Sequence, residues 1–108
     1  MQFRQLDERE QKLFTLMRAI DYGRLVNLSI QDGHAVATTH SRKVRSRKIG
    51  AVNIQRRNSR PDGDFILSEK QEEFLTIVRT ADNGVIREIQ IQAGLPVSLE
   101  IEEDVTSI

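Results

Sequence analysis

Residues 22–36 read YGRLVNLSIQDGHAV, and this stretch decides the fold. Val26, Leu28 and Ile30 alternate with polar residues, which is the two-residue period of a half-buried strand. Asp32-Gly33 follows directly, and such a dipeptide favours a tight hairpin turn because glycine tolerates positive φ. The stretch therefore predicts two antiparallel strands joined by a short turn.

An amphipathic helix is predicted before this hairpin. Asp7 and Glu10 have the spacing of a capping box, in which each side chain can accept a hydrogen bond from the other residue's backbone N–H. The apolar residues that follow have helical spacing: Leu13, Phe14, Leu16, Met17 and Ile20. Gly23 is expected to end the helix, because glycine readily adopts the left-handed conformation of a helix C-terminus. The unit is αββ.

The same unit occurs twice in the chain. An offset of 61 aligns residues 6–40 with residues 67–101 without a gap, and ten of the 35 aligned pairs are identical. The second half repeats each of these features. The capping box recurs at Ser68 and Gln71, the apolar stripe from Phe74 to Ala81, the helix-ending glycine at Gly84, and a weaker turn at Ala93-Gly94. We therefore predict one domain, residues 1–108, made of two repeats joined by a basic segment, residues 41–66.

The predicted class is α+β, as a tandem αββ–αββ repeat. We expect an antiparallel sheet of four strands, or of five if Val52–Gln55 forms another, with two helices on one face. A pseudo-twofold axis would relate the two halves. Antiparallel sheets of this kind can leave their other face in water, which agrees with the alternation in both hairpins.

The helix, Gly23 and the stretch from Tyr22 to Val36 resemble the YezD-like family of small bacterial proteins. The likeness covers residues 10–48 and, more weakly, residues 71–101. It implies a helix–hairpin unit with a basic tail, and it implies no activity. Those relatives have a single unit, so this chain would make within itself a pairing for which they need a dimer.

The composition excludes several classes of function. The chain has no cysteine, so it has neither disulfides nor thiolate metal sites. No apolar stretch approaches the roughly 20 residues that cross a bilayer, and the N-terminus lacks the apolar core of a signal peptide. We therefore expect a cytoplasmic protein that does not enter a membrane.

No pattern of catalytic or metal-binding residues is evident. His34 and His40 would lie about 20 Å apart on one strand, at roughly 3.3 Å per residue, so they could not share a metal ion. Neither a nucleophile elbow nor a phosphate-binding glycine loop is present. We expect no enzymatic activity, no cofactor and no metal.

The charges are unevenly distributed along the chain. Residues 1–60 contain 13 Lys or Arg and 5 Asp or Glu, a net charge of +8, whereas residues 61–108 contain 3 and 11, a net charge of −8. The stretch from residue 42 to residue 60 has no acidic residue. Its cations are our candidate nucleic-acid-binding residues: Arg42, Lys43, Arg45, Arg47, Lys48, Arg56, Arg57 and Arg60.

The spacing of these cations predicts contacts with a phosphate backbone. If the return strand continues past His40, its outer face carries Lys43, Arg45 and Arg47, and its core face carries Arg42 and Val44. Cations in a row on a solvent face suit phosphates, and arginine adds bidentate contacts. Such contacts attract nucleic acid without specifying a base sequence. The preferred hypothesis is a small regulatory or accessory protein that binds DNA or RNA.

A protein-interaction module or inhibitor is the main alternative. Residues 41–44 align with residues 102–105, so the two halves end in tails of opposite charge that could pair within the chain, with a protein partner or across a homodimer. Surface pairs of this kind contribute only about 0–1 kcal/mol each and are sensitive to salt.

Two lesser alternatives remain. Residues 86–101 can be interpreted as a DNA-binding helix-turn-helix, in which a small residue and a glycine precede the recognition helix. The interface between the two repeats could also bind a small ligand, although no particular residues indicate one.

Overall fold

The computed structural model of the chain describes residues 2–47, 49–50, 67–81 and 83–103. The elements are of the α+β class and follow in the order helix, strand, strand, helix, strand, strand. They are α1 (Glu8–Ile20), β1 (Gly23–Gln31), β2 (His34–Arg45), α2 (Glu69–Ala81), β3 (Gly84–Gln92) and β4 (Leu95–Glu102), with one turn of 3-10 helix, Phe3–Gln5, before α1. The expected fifth strand at Val52–Gln55 lies outside the described residues.

Both helices begin at the predicted capping boxes. The Glu10 N–H donates to Asp7 Oδ1 at 2.9 Å, and the Asp7 N–H donates to Glu10 Oε1 at 3.4 Å. The Gln71 N–H donates to Ser68 Oγ at 3.2 Å, and the Ser68 N–H donates to Gln71 Oε1 at 3.0 Å. These bonds satisfy backbone donors that a helix N-terminus otherwise leaves without partners.

The predicted role of Gly23 and Gly84 as helix ends is wrong. The helices end at Ile20 and Ala81, and the two glycines are the first residues of β1 and β3. A Cβ atom on Gly23 would lie 2.0 Å from the Val44 carbonyl oxygen, and one on Gly84 would lie 2.8 Å from the Glu102 carbonyl oxygen. Glycine is therefore required at these positions by the close approach of the neighbouring strand.

Both hairpin turns form at the predicted dipeptides. Asp32 and Gly33 have φ of 54° and 79°, and Ala93 and Gly94 have φ of 53° and 79°. Positive φ at both central residues characterises the type I′ turn, whose twist matches that of the strands. Alanine is poorly suited to this conformation because its Cβ is crowded at positive φ.

We expect Ala93→Asn to raise the free energy of unfolding by about 0.5–1 kcal/mol, because asparagine tolerates the left-handed region better than alanine does. Urea denaturation would measure the change. Thr15→Asn, at an exposed position inside α1, serves as the control and should destabilise slightly, since asparagine there gains nothing from a turn. A destabilising Ala93→Asn would contradict the turn assignment.

The four strands form one antiparallel sheet in the order β2-β1-β3-β4. The strand that opens each hairpin is central, and the return strand is at an edge. Gly23 pairs with Ile91 and Ile30 pairs with Gly84 where the two hairpins meet. The helix-turn-helix interpretation of residues 86–101 is wrong, because these residues form β3, a two-residue turn and β4.

One buried cluster joins both helices to the central strands. Phe14 and Phe74 pack against each other at a ring-centroid distance of 6.0 Å, with their ring planes tilted by 58°. The buried apolar residues are Leu6, Phe14, Met17, Ile20, Leu25, Leu28, Ile30, Leu67, Phe74, Leu75, Val78, Ile86, Ile89 and Ile91. Burial of this apolar surface is the main favourable contribution to folding.

Candidate functional site

β2 continues past His40, as predicted, and places four of the candidate cations on or just after its end, at one corner of the sheet. Val26 pairs with Arg42, Leu25 with Lys43, and Gly23 with Arg45. Arg47 follows the strand directly. We call these four exposed residues, Arg42, Lys43, Arg45 and Arg47, the basic corner. The other candidates, Lys48, Arg56, Arg57 and Arg60, lie outside the described residues.

The predicted faces of the strand cations are reversed. Residues directly opposite on antiparallel strands share a face of the sheet. Lys43 lies opposite the buried Leu25, so it projects on the side of the core, and Val44 lies opposite Arg24 on the other side. Arg45 therefore shares the core side of the sheet with Lys43, and Arg42 shares the opposite side with Val44.

The reversal is present from the start of β2, because Ala35 pairs with the buried Ile30 and Ala37 with the buried Leu28, and a four-residue interruption follows. Ala37 pairs with Leu28 and Arg42 pairs with Val26, so residues 38–41 lie opposite Asn27 alone. The Ser41 hydroxyl donates to the Asn27 carbonyl oxygen at 2.5 Å and accepts the Thr38 N–H at 2.8 Å. Asn27 itself has a φ of 62°. Odd-numbered residues of β2 lie on the core side both before and after residues 38–41, so the interruption does not change which face the cations take.

Most of the basic corner is available to a ligand. The Arg42 guanidinium donates from Nη1 to the carbonyl oxygens of Thr39 at 3.2 Å and Ser41 at 2.9 Å, so it also braces the interruption. No ion pair joins Lys43, Arg45 or Arg47 to a carboxylate within the described part of the chain. Their charges are therefore not neutralised by the neighbouring described residues.

The acidic residues lie at the opposite corner of the sheet. Glu100 and Glu102 belong to β4, which two strands separate from β2. At about 4.8 Å per strand, the two edges lie roughly 14 Å apart. The two tails are also at opposite ends, because Arg45 is in register with Gly23 whereas Glu102 is in register with Val85. Pairing of the tails within the chain, one of the expected alternatives, therefore does not occur between the described residues.

Two of the acidic residues have cationic partners of their own. Glu102 accepts a hydrogen bond from Arg87 Nη1 at 2.7 Å, and Glu88 lies 3.2 Å from Arg24 Nε. Both pairs are substantially exposed, so each contributes little stability. They nevertheless reduce the negative potential near β4 and leave Arg24 and Arg87 less available to phosphates than the basic corner.

A second charged group joins the start of α1 to the first hairpin and to α2. Arg79 donates from Nε and Nη2 to both carboxylate oxygens of Glu10, at 3.0 Å and 2.9 Å. His34 Nε2 contacts Asp7 Oδ2, and His34 Nδ1 lies 3.1 Å from the Asp32 carbonyl oxygen. Glu10 is buried, whereas Arg79 is about half exposed. The hydrogen bond to Glu10 raises the pKa of Arg79 despite the opposing effect of its partial burial.

This group also contains the donor atoms that could coordinate a metal ion. The ligand atoms of Asp7, Glu10 and His34 all lie within 4.8 Å of one another. However, both Glu10 oxygens already accept from Arg79, and Asp7 caps α1. These bonds give each carboxylate a structural role, so we assign the group as a clamp between the elements. The sequence suggested only a His34–His40 pair as metal ligands, and His40 lies on the exposed interruption of β2.

The clamp predicts how stability depends on pH. Burial raises the pKa of Asp7, but the hydrogen bond from the Glu10 N–H and the proximity of His34 outweigh it, so the pKa lies below its ordinary value. A carboxyl whose pKa is lowered on folding stabilises the protein above its unfolded pKa, near 4, and loses this contribution as pH falls through the folded value. We expect Asp7→Asn to lower stability at neutral pH and to flatten its decline in acid, measured by thermal unfolding across pH. Glu8→Gln, an exposed control in the same turn, should change neither.

An apolar groove runs between α2 and β4. It encloses about 350 Å³, and the apolar residues that line it are Phe74, Ile77, Pro96, Val97, Leu99 and Ile101. Lys70 and Glu73 lie along its helical wall. The groove belongs to the second half of the chain alone, so it is not the ligand site between the two halves that the sequence analysis considered.

The comparisons with known proteins add no relative. Among the described residues, neither helix is long and apolar enough to cross a bilayer. The chain matches no protein-family model, no curated protein and no solved structure, so the geometry of the chain itself carries the functional argument.

Proposed function

We propose that this protein binds the phosphate backbone of nucleic acid through the basic corner. The observation that carries the proposal is the exposure of Lys43, Arg45 and Arg47 at the end of an edge strand, without a described carboxylate as partner. Unpaired cations at one corner attract a polyanion strongly, because binding releases its condensed counterions.

The faces of the basic corner suit contacts around the strand edge. Lys43 and Arg45 project on the side of the core and Arg42 on the opposite side, so a phosphate backbone that crosses the edge of β2 would meet cations on both sides. Arginine can hold a phosphate with two parallel N–H donors. No aromatic residue is interleaved with these cations, so base stacking is not part of the proposed mechanism.

In this proposal the protein is a non-enzymatic accessory or regulatory factor of the cytoplasm. Lys48, Arg56, Arg57 and Arg60 follow the basic corner in the sequence and would add to its charge. Contacts of this type position a protein on nucleic acid without reading bases. We therefore propose binding with little sequence preference.

A charge-reversed pair tests the proposal. In Lys43→Glu with Arg45→Glu, two phosphate contacts become repulsive, and we expect affinity for a labelled DNA duplex or RNA strand to fall more than about tenfold. Lys12→Glu with Lys70→Glu is the matched control, because both cations are exposed and lie away from the basic corner. Each variant changes the formal net charge from 0 to −4. Equal losses in the two variants would show that net charge, not the basic corner, determines binding.

The opposite placement of the charges supports a second candidate, a salt-sensitive protein-docking module. Because the basic corner does not pair with Glu100 or Glu102 among the described residues, each group remains able to attract an oppositely charged protein surface. Pull-down with a basic and with an acidic carrier protein at low and high salt would test this candidate. Docking without any affinity for nucleic acid would favour it over the first.

We also infer that the two halves are copies of one αββ unit. The offset of 61 converts the pair Gly23–Ile91 into Gly84–Ile30, which is also a pair of the central ladder. Arg79 of α2 packs over Gly33 of the first turn, and Arg18 of α1 packs over Gly94 of the second. The hairpins differ after Ala37, where only β2 has the four-residue interruption.

A further inference from the structure

Among the described strands, β4 forms an edge of the sheet, and an apolar surface lies beside it. Val97 and Ile77 are 37% and 38% exposed, and both line the groove beside β4. Edge strands present unpaired backbone donors and acceptors to any strand that can approach them. Apolar side chains next to such an edge would be buried by an added strand.

The side chains of β4 are sorted by face. Leu99 lies opposite the buried Ile89, and Ile101 opposite the buried Ile86, so both project toward the helices. Ser98, Glu100 and Glu102 lie opposite Gln90, Glu88 and Val85 on the other face. Val97 is the extra residue of a bulge, because Gln90 pairs with Ser98 while the next residue, Ile91, pairs with Pro96.

We propose that β4 pairs antiparallel with β4 of a second copy, about a twofold axis at Leu99. In this register Leu99 meets its own counterpart, Val97 meets Ile101 of the second copy, and Ser98 meets Glu100 of the second copy. Apolar residues therefore meet apolar residues on the side of the groove, and no carboxylate lies opposite another. An axis at Glu100 would place two carboxylates directly opposite each other, which is destabilising.

The other edge of the sheet is protected against the same pairing. Residues 38–41 interrupt β2 in its middle, and the strand ends in Arg42, Lys43 and Arg45. Bulges and charged side chains are devices by which edge strands avoid pairing with another copy. In β4 the bulge is a single residue, Val97, and the carboxylates of the strand project on the face away from the groove. Pairing through β4 alone closes a dimer in which the described strands form one eight-stranded sheet, and it leaves the basic corners at the two outer ends. The inference does not depend on binding of nucleic acid.

Sedimentation velocity of the full chain tests the pairing. We expect a species with twice the mass of one chain that persists at molar salt, because its interface is apolar. Val97→Lys should convert it to a monomer. Val85→Lys is the matched control, because Val85 is 40% exposed but lies on the central strand β3, and it should remain dimeric. A wild-type monomer at near-millimolar concentration, or a dimer that dissociates in salt, would overturn the proposal.

A cysteine placed on the proposed axis gives an independent result. The chain has no cysteine, so Leu99→Cys would introduce one thiol that faces its own counterpart at a distance suited to a disulfide. Mild oxidation should join most of the chains covalently, whereas Val85→Cys should leave them single. Equal cross-linking of the two variants would show that collisions, not β4 pairing, bring the chains together, and would contradict the proposal.

Discussion

Gly23→Ala is expected to lower the free energy of unfolding by about 3 kcal/mol or more, near the upper end of ordinary substitutions. The added Cβ would lie 2.0 Å from the Val44 carbonyl oxygen and 3.0 Å from the Arg45 Cα. Both obstacles are backbone atoms of the neighbouring strand, so no side-chain rotation relieves the clash. The end of β2 must move away from β1, and the pairing of Gly23 with Arg45 is lost.

The other glycines supply a graded control series. Gly84→Ala should lower the free energy of unfolding less, because the nearest atom to its added Cβ, the Glu102 carbonyl oxygen, lies 2.8 Å away. Gly50→Ala should lower the free energy of unfolding least, by about 1 kcal/mol, since no described atom lies within 4 Å of the added Cβ and only the φ of 84° opposes a side chain. Urea denaturation of the three variants would measure the order. A cost for Gly23→Ala no greater than that for Gly84→Ala would contradict the described approach of β2 to β1.

Glu10→Ala is expected to lower the free energy of unfolding by about 2 kcal/mol. The substitution removes a buried carboxylate together with its bidentate bond to Arg79 and its part in the capping box. Removal of one partner of a buried ion pair costs about 3–5 kcal/mol. The Arg79 side chain is about half exposed and can turn toward water, which reduces the penalty.

The chain provides two matched controls for this substitution. Glu8→Ala removes an exposed carboxylate of the same helical turn, whose pair with Lys12 is fully on the surface, and it should cost no more than about 0.5 kcal/mol. Glu10→Gln copies the second half, where Gln71 occupies the aligned position and still caps α2. It should cost about half as much as Glu10→Ala, because the cap remains and the charge is lost. Equal losses in the free energy of unfolding for all three variants would contradict the assignment of Glu10 and Arg79 to a clamp.

Local features of the fold could be predicted because they depend on residues close in sequence. The capping boxes at Asp7 and Ser68 and the turns at Asp32-Gly33 and Ala93-Gly94 each require a few neighbouring residues. The sheet of four antiparallel strands followed from those hairpins. The order of the strands did not, although Pro96 in β4 and the cations of β2 are typical of edge strands.

Two features of the site depend on contacts between residues that are distant in the sequence. The interruption of β2 consists of four polar residues, Thr38 to Ser41, whose composition is compatible with a regular strand. Its geometry depends on Asn27, which lies 14 positions away from Ser41 and accepts the Ser41 hydroxyl through its carbonyl oxygen. The Glu10–Arg79 pair spans 69 positions, and no local pattern indicates such a contact. The charge of residues 42–60 therefore predicted a cluster of cations. Their faces follow from the pairing of Gln31 with His34, which places the odd-numbered residues of β2 on the core side.

The salt dependence of binding tests the account most directly. Fluorescence anisotropy with a labelled DNA duplex would give the slope of log K against log salt concentration. If the four residues of the basic corner each neutralise one phosphate, the slope is about −3.6, and affinity falls roughly 100-fold between 50 mM and 200 mM salt. The absence of binding to either DNA or RNA at low salt, or an affinity that does not change with salt, would contradict the account.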